Sequence, residues 1–116
     1  MRLAVLIGVL IAGLGGAAAR AADAGHGQQL FKACAACHSN KLGPSLTGVV
    51  GRKAAALDDF RYSPAMQRSN IVWDETNLRE YIADPQGKVK GNRMPFAGLS
   101  NAKDIDDVVA YLATLR

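Results

Sequence analysis

Beyond residue 24 the apolar positions of this chain recur at helical spacing rather than at the alternation of a strand. Leu30, Phe31 and Cys34 line up on one face and predict a helix from Gly27 to about Ala36. Ser63-Pro64 predicts a helix start, because the serine can accept from a free first-turn N–H while proline presets the backbone; a short helix then runs to about Arg68. Asp74 can cap a further helix that places Leu78, Tyr81 and Ile82 on one side. Pro85 closes that helix, since the residue ahead of a proline resists the helical region. The last helix carries the clearest pattern: Ser100 or Asn101 can cap it, and Ile105, Val108, Val109, Leu112 and Leu115 follow the helical period. Asp104, Asp106 and Asp107 load its first turns with the negative charge that a helix dipole favours. Tyr111 on this helix is expected to pack against Gly27 and the first helix. Between residues 38 and 60, Leu42-Gly43-Pro44 and the glycines at 48 and 51 predict looped chain, so the fold class is mainly α.

The head of the chain has a different pattern. Met1-Arg2 precedes an apolar run from Leu3 to Leu14 and then small residues through Ala22, the order of an export signal, with cleavage expected after Ala21 or Ala19. An uncleaved anchor helix is the alternative, weakened by Gly8, Gly13, Gly15 and Gly16. The expected organisation is therefore a signal peptide at 1–21 and one domain at 22–116. That leaves about 95 residues, enough for one small core that a cofactor would help to complete. The formal charge of +4 falls to about +2 without Arg2 and Arg20, and there is no basic run interleaved with aromatics, so nucleic acid is not an expected partner.

Two cysteines in an exported chain suggest a disulfide, but Cys34 and Cys37 would close only a tiny loop. Cys34-Ala35-Ala36-Cys37-His38 instead matches the attachment signature of a c-type haem. Thiols three residues apart at a helix end can reach two vinyl groups of one porphyrin, and His38 follows closely enough to ligate the iron. A zinc site would need a second Cys/His pair, yet the only other histidine is His26, read as a solvent residue at a frayed helix start. A thiol-exchange pair would normally follow a strand in a βαβ pattern that this sequence lacks. Iron with a single protein ligand could serve a small peroxidase or a ligand sensor, whereas a second ligand favours electron transfer. Met94 lies in the Gly/Pro-bounded stretch from Lys90 to Phe96 and can supply that ligand, while Met66 sits in a short helix and reads as core filler.

The chain resembles the class I cytochromes c, specifically their mitochondrial-like bacterial branch, from about Gly25 to Leu115. Beyond the haem signature the shared landmarks are Gly43-Pro44-Ser45-Leu46, Val50-Gly51-Arg52-Lys53, Ile71-Val72-Trp73, Tyr81-Ile82-Ala83-Asp84-Pro85 and Arg93-Met94-Pro95-Phe96-Ala97-Gly98-Leu99. The resemblance implies the small cytochrome c fold, helices and loops wrapped around one covalently bound haem c. It implies that Met94 is the sixth iron ligand and that the Pro44 carbonyl accepts from the second ring nitrogen of His38. It also implies that Arg52, Tyr62 and Trp73 meet the inner haem propionates and that Tyr81 points its hydroxyl at the Met94 sulfur. Met66 and Asn92 depart from the family pattern, standing where an amide and a hydroxyl residue often occur. The short loop between His38 and Gly43 indicates a bacterial member.

The expected role is a single-electron carrier and not an enzyme: a periplasmic monomer shuttling between membrane complexes, such as a quinol:cytochrome c reductase and a terminal oxidase or reaction centre. Lys41, Lys53, Lys88, Lys90 and Arg93 fall in segments that the resemblance places around the haem edge, where a basic ring would steer docking to acidic partner faces.

Overall fold

A computed structural model describes residues 21–116, so the expected leader lies outside the described residues apart from Ala21. Five helices follow in order: α1 (Ala24–His38), α2 (Pro64–Gln67), α3 (Glu75–Ala83), α4 (Pro85–Lys88) and α5 (Ala102–Leu112). Among the described residues the only β pairing is an isolated antiparallel bridge between Lys53 and Val72. It joins the long loop after α1 to the segment leading into α3, reinforced by Gly51 N–H to Trp73 O at 2.7 Å and Trp73 N–H to Arg52 O at 2.8 Å. No helix of the described residues is long and apolar enough to cross a membrane.

The caps explain where most helices begin. Ser63 accepts from the Met66 N–H, Asp74 from the Asn77 N–H and Asn101 from the Asp104 N–H, each satisfying a first-turn donor that has no partner inside its helix. Pro85 does more than end α3. Asp84 accepts from the Gly87 N–H and Pro85 takes the first helical position, so the chain turns directly into α4. α1 starts earlier than its apolar pattern indicates because Asp23 caps it, accepting from the His26 N–H at 3.1 Å.

α1 packs on α5, and the contact depends on a missing side chain. A Cβ at Gly27 would lie 1.9 Å from the Asp107 carbonyl oxygen and 3.0 Å from the Tyr111 Cβ, so only glycine lets the two backbones approach this closely. Phe31 then meets Tyr111 with ring centroids 5.0 Å apart, as expected for a Tyr111 that braces the first helix. Ile105, Val108, Val109 and Leu112 present the buried face of α5. Each such side chain contributes about 1.5–3 kcal/mol through burial. Leu78 and Tyr81 of α3, with Val49, Trp73 and Val89 from the loops, complete the core.

The N-terminal end of this helix pair corrects the expectation for His26. Its ring is not simply solvated: Nδ1 lies 2.8 Å from Oδ2 of Asp107, a carboxylate whose side chain is almost wholly buried. Asp107 also accepts from the Asp23 N–H at 2.7 Å and from the Lys103 ammonium at 3.0 Å. Those hydrogen bonds, the Asp23 N–H first and the His26 ring next, hold the Asp107 carboxyl down at about 2. His26, Asp104 and Asp107 offer ligand atoms within 4.8 Å of one another, but Asp107 is already engaged and the Lys103 cation occupies the same carboxylate.

Candidate cofactor site

Cys34, Cys37 and His38 occupy the last turn of α1, where the three-residue spacing puts both sulfurs on one side. Both cysteines are free and half-buried. Burial pushes the Cys34 thiol above its ordinary pKa, with a backbone hydrogen bond pulling weakly the other way. That thiol stays protonated and is a poor exchange nucleophile, which fits a sulfur kept for attachment better than one used in redox exchange.

The chain leaves α1 and doubles back at once. Gly43 N–H bonds Cys37 O at 3.0 Å, and a Cβ at Gly43 would lie 2.9 Å from the His38 ring. This tight return sets the Pro44 carbonyl 2.6 Å from His38 Nδ1. A carbonyl can only accept, so Nδ1 carries the proton and Nε2 keeps its lone pair for a metal. The imidazole is thereby fixed in tautomer and orientation by its own backbone, the arrangement required of an iron ligand.

Met94 lies on the stretch between α4 and α5, half-buried against the core. The Tyr81 hydroxyl is 3.9 Å from its sulfur, a weak contact that gives the thioether a direction. Tyr81 in turn packs on Trp73 with centroids 4.9 Å apart, and burial pushes its phenol up to about 12, so it remains a neutral donor. The ligand loop is tied to its surroundings just ahead of Met94. Asn92, 7% exposed, donates from Nδ2 to the Pro85 and Val89 carbonyls at 2.9 and 3.0 Å, and its Oδ1 accepts from the Met94 N–H at 2.9 Å. Gln86 donates to Asn92 O at 2.8 Å and accepts from the Gly91 N–H at 3.1 Å. The resemblance marks Asn92 only as a departure from the family pattern, and nothing in the sequence singles out Gln86 or gives either residue this role.

The remaining predicted residues divide. Trp73 is buried as a core aromatic. Tyr62 is half-buried with its ring edge-on to Phe60, and its carbonyl accepts from Arg93 at 3.0 Å. Arg52 spans its own loop, donating to Ser45 O at 2.7 Å and Thr47 O at 3.2 Å, which leaves further guanidinium N–H groups for an anionic partner. Among the predicted docking cations, Lys41, Lys53, Lys90 and Arg93 are exposed. Lys88 differs from them: it is half-buried, and its ammonium is engaged by Glu80 and, at 2.9 Å, by Asn77 Oδ1. A cleft of about 420 Å³ between α2 and the 88–90 segment is lined by Arg68 and Lys90 but by no predicted iron or thioether residue.

These residues fit a haem c. The two thiols are unpaired and share a helix face, the imidazole presents a bare Nε2, and the thioether is already aimed. Leu46, Ile71, Ile82 and Leu99 pack on the core with part of their apolar surface left uncovered, which suits a planar porphyrin.

Comparison with known proteins agrees. The family model described as cytochrome c matches residues 24–116. The chain is 40% identical to cytochrome c2 of Blastochloris viridis over 114 residues, covering 93% of this chain and 90% of that protein. It is 45% identical to cytochrome c2 of Rhodoblastus acidophilus over 102 residues, covering 83% of this chain and 95% of the relative. Cytochrome cH from Methylobacterium extorquens has a solved structure that superposes with a TM-score of 0.77 at 44% identity, covering 79% of this chain and 98% of that one. Because these matches run from the first helix to the last and do not stop at the Cys-x-x-Cys-His stretch, this chain belongs to the class I cytochromes c and is an electron carrier with covalently bound haem c.

Proposed function

We propose that this chain is an exported one-electron shuttle of the bacterial periplasm, accepting from one membrane complex, such as a quinol:cytochrome c reductase, and donating to another, such as a terminal oxidase or reaction centre. The observation that carries the reading is that both axial-ligand candidates are oriented by the protein itself: His38 through the Pro44 carbonyl and Met94 through the Tyr81 hydroxyl. Bound haem c supplies the one-electron couple. Two protein ligands close both faces of an iron, which favours electron transfer over peroxide or gas chemistry. In this reading Cys34 and Cys37 form the thioethers, His38 and Met94 ligate the metal, and Arg52, Tyr62 and Trp73 donate to the propionates. A propionate held away from water needs such donors, and arginine adds a charge-assisted bond.

The apolar head with its Ala-x-Ala exit supports export, with Met1 removed from the mature protein. Exposed Lys41, Lys53, Lys90 and Arg93 support docking of a monomer on acidic faces, where long-range attraction raises encounter rates. A redox titration of the purified holoprotein, followed optically, tests the central claim. A single reversible one-electron transition is expected, with no change on adding peroxide in the ferric state. Rapid peroxide turnover, or colourless mature protein, would overturn it.

A further inference from the structure

Asn92 is a buried amide with every polar group in use. An amide side chain carries two N–H donors and an acceptor oxygen, and here the donors close the carbonyls of Pro85 in α4 and of Val89 at its C-cap while the oxygen takes the Met94 N–H. The Asn92 backbone is engaged as well, its N–H bonding Val89 O at 3.0 Å and its carbonyl accepting from Gln86 at 2.8 Å. With Gln86 also accepting the Gly91 N–H, residues 91–94 are fastened to α4 by side chains from both directions. A hydroxyl at this position has a single hydrogen to donate, so it could serve one carbonyl but not both.

We infer that Asn92 is the positioning residue for Met94: by tying the Met94 backbone to α4 it sets how firmly the Met94 sulfur stays on the iron against competing ligands. This rests on Met94 being the sixth ligand, as proposed above. For a competing ligand to take the sulfur's place, the Met94 segment must swing away and break its bond to Asn92. Losing this half-buried hydrogen bond to a buried amide is costly, so the clamp opposes displacement. Gln86 assists from the surface, holding the loop backbone rather than Met94 itself.

The test is imidazole titration of ferric holoprotein, read together with the long-wavelength absorption band of the sulfur–iron bond. Asn92→Ala is expected to bind imidazole at least about tenfold more tightly, the equivalent of one buried hydrogen bond. Asn92→Thr should fall between it and the parent, and Gln86→Ala should show a smaller rise. Val109→Ala, in the α5 core, lowers thermal stability but should leave imidazole affinity unchanged. The inference is overturned if Asn92→Ala keeps the parent affinity and band, or if Val109→Ala raises affinity just as much. Should Asn92→Ala fail to mature, Asn92→Thr and Gln86→Ala decide, and parent affinity in both rejects the clamp. Met94→Ala separates the two claims. If it retains the parent band, the ligand assignment fails; if it loses the band while Asn92→Ala matches the parent, only the positioning role fails.

Discussion

Ala55 holds a φ of 59°, in the left-handed region where a Cβ crowds the following carbonyl. Asn70, at 53°, tolerates that region through its short polar side chain, but alanine has no such compensation. Ala55→Gly is therefore expected to stabilise the holoprotein by about 0.5–1 kcal/mol, the relief of strain outweighing the extra entropy of the unfolded chain. A higher urea midpoint with an unchanged slope would show it, and an unchanged or lower midpoint would reject it. The strain was invisible in the string Ala54-Ala55-Ala56, which carries no turn signal. His38 was the opposite case. Its neighbours Cys34 and Cys37 announced its chemistry, because two thiols and an imidazole at that spacing have few other uses in an exported chain.

Between elements, the α1–α5 pair is joined at its open end by Asp107. Hydrogen bonds from the Asp23 N–H, the His26 ring and Lys103 lower its carboxyl from the ordinary 3.8 to about 2. As pH falls, the unfolded chain takes up that proton first. The stabilisation is therefore complete above the ordinary value and is lost as pH drops through the folded value. Asp107→Asn should be less stable than the parent at neutral pH, with the gap closing between about pH 5 and pH 2. Thermal melts across that range measure it, and a constant gap would rule the linkage out. α5 and α3 are legible because apolar period and cap agree in each, and α2 because Ser63-Pro64 marks its start. The apolar face of Leu30, Phe31 and Cys34 places the start of α1 only at Gly27, whereas its true start depends on Asp23 and the distant Asp107. α4 goes beyond the sequence expectation, which takes Pro85 only as an ending, although Asp84-Pro85 repeats the logic of Ser63-Pro64.

Across the whole molecule, the small net charge means that steering must come from where cations stand rather than from how many there are. Lys90 is exposed and Lys88 is held by Glu80 and Asn77. Lys90→Gln should accordingly flatten the fall of the electron-transfer rate with ionic strength, while removing the neutral pair together, as Lys88→Gln with Glu80→Gln, should leave that slope close to the parent's. Stopped-flow rates with a membrane oxidase over a salt series distinguish the two, and equal effects would reject the pairing as the cause. The sequence by itself determined the helical class, the caps of α2, α3 and α5, the attachment signature and the family landmarks, because each is written in neighbouring residues. Tertiary structure decided what no local pattern encodes. It set the proton on His38 Nδ1, the approach of α1 to α5 at Gly27, the hydrogen-bonded placing of Asp107 in the interior and the clamp of Asn92 on Met94. Each depends on partners brought together only when the chain closes, and a hydrogen bond or a backbone approach has no counterpart in sequence spacing.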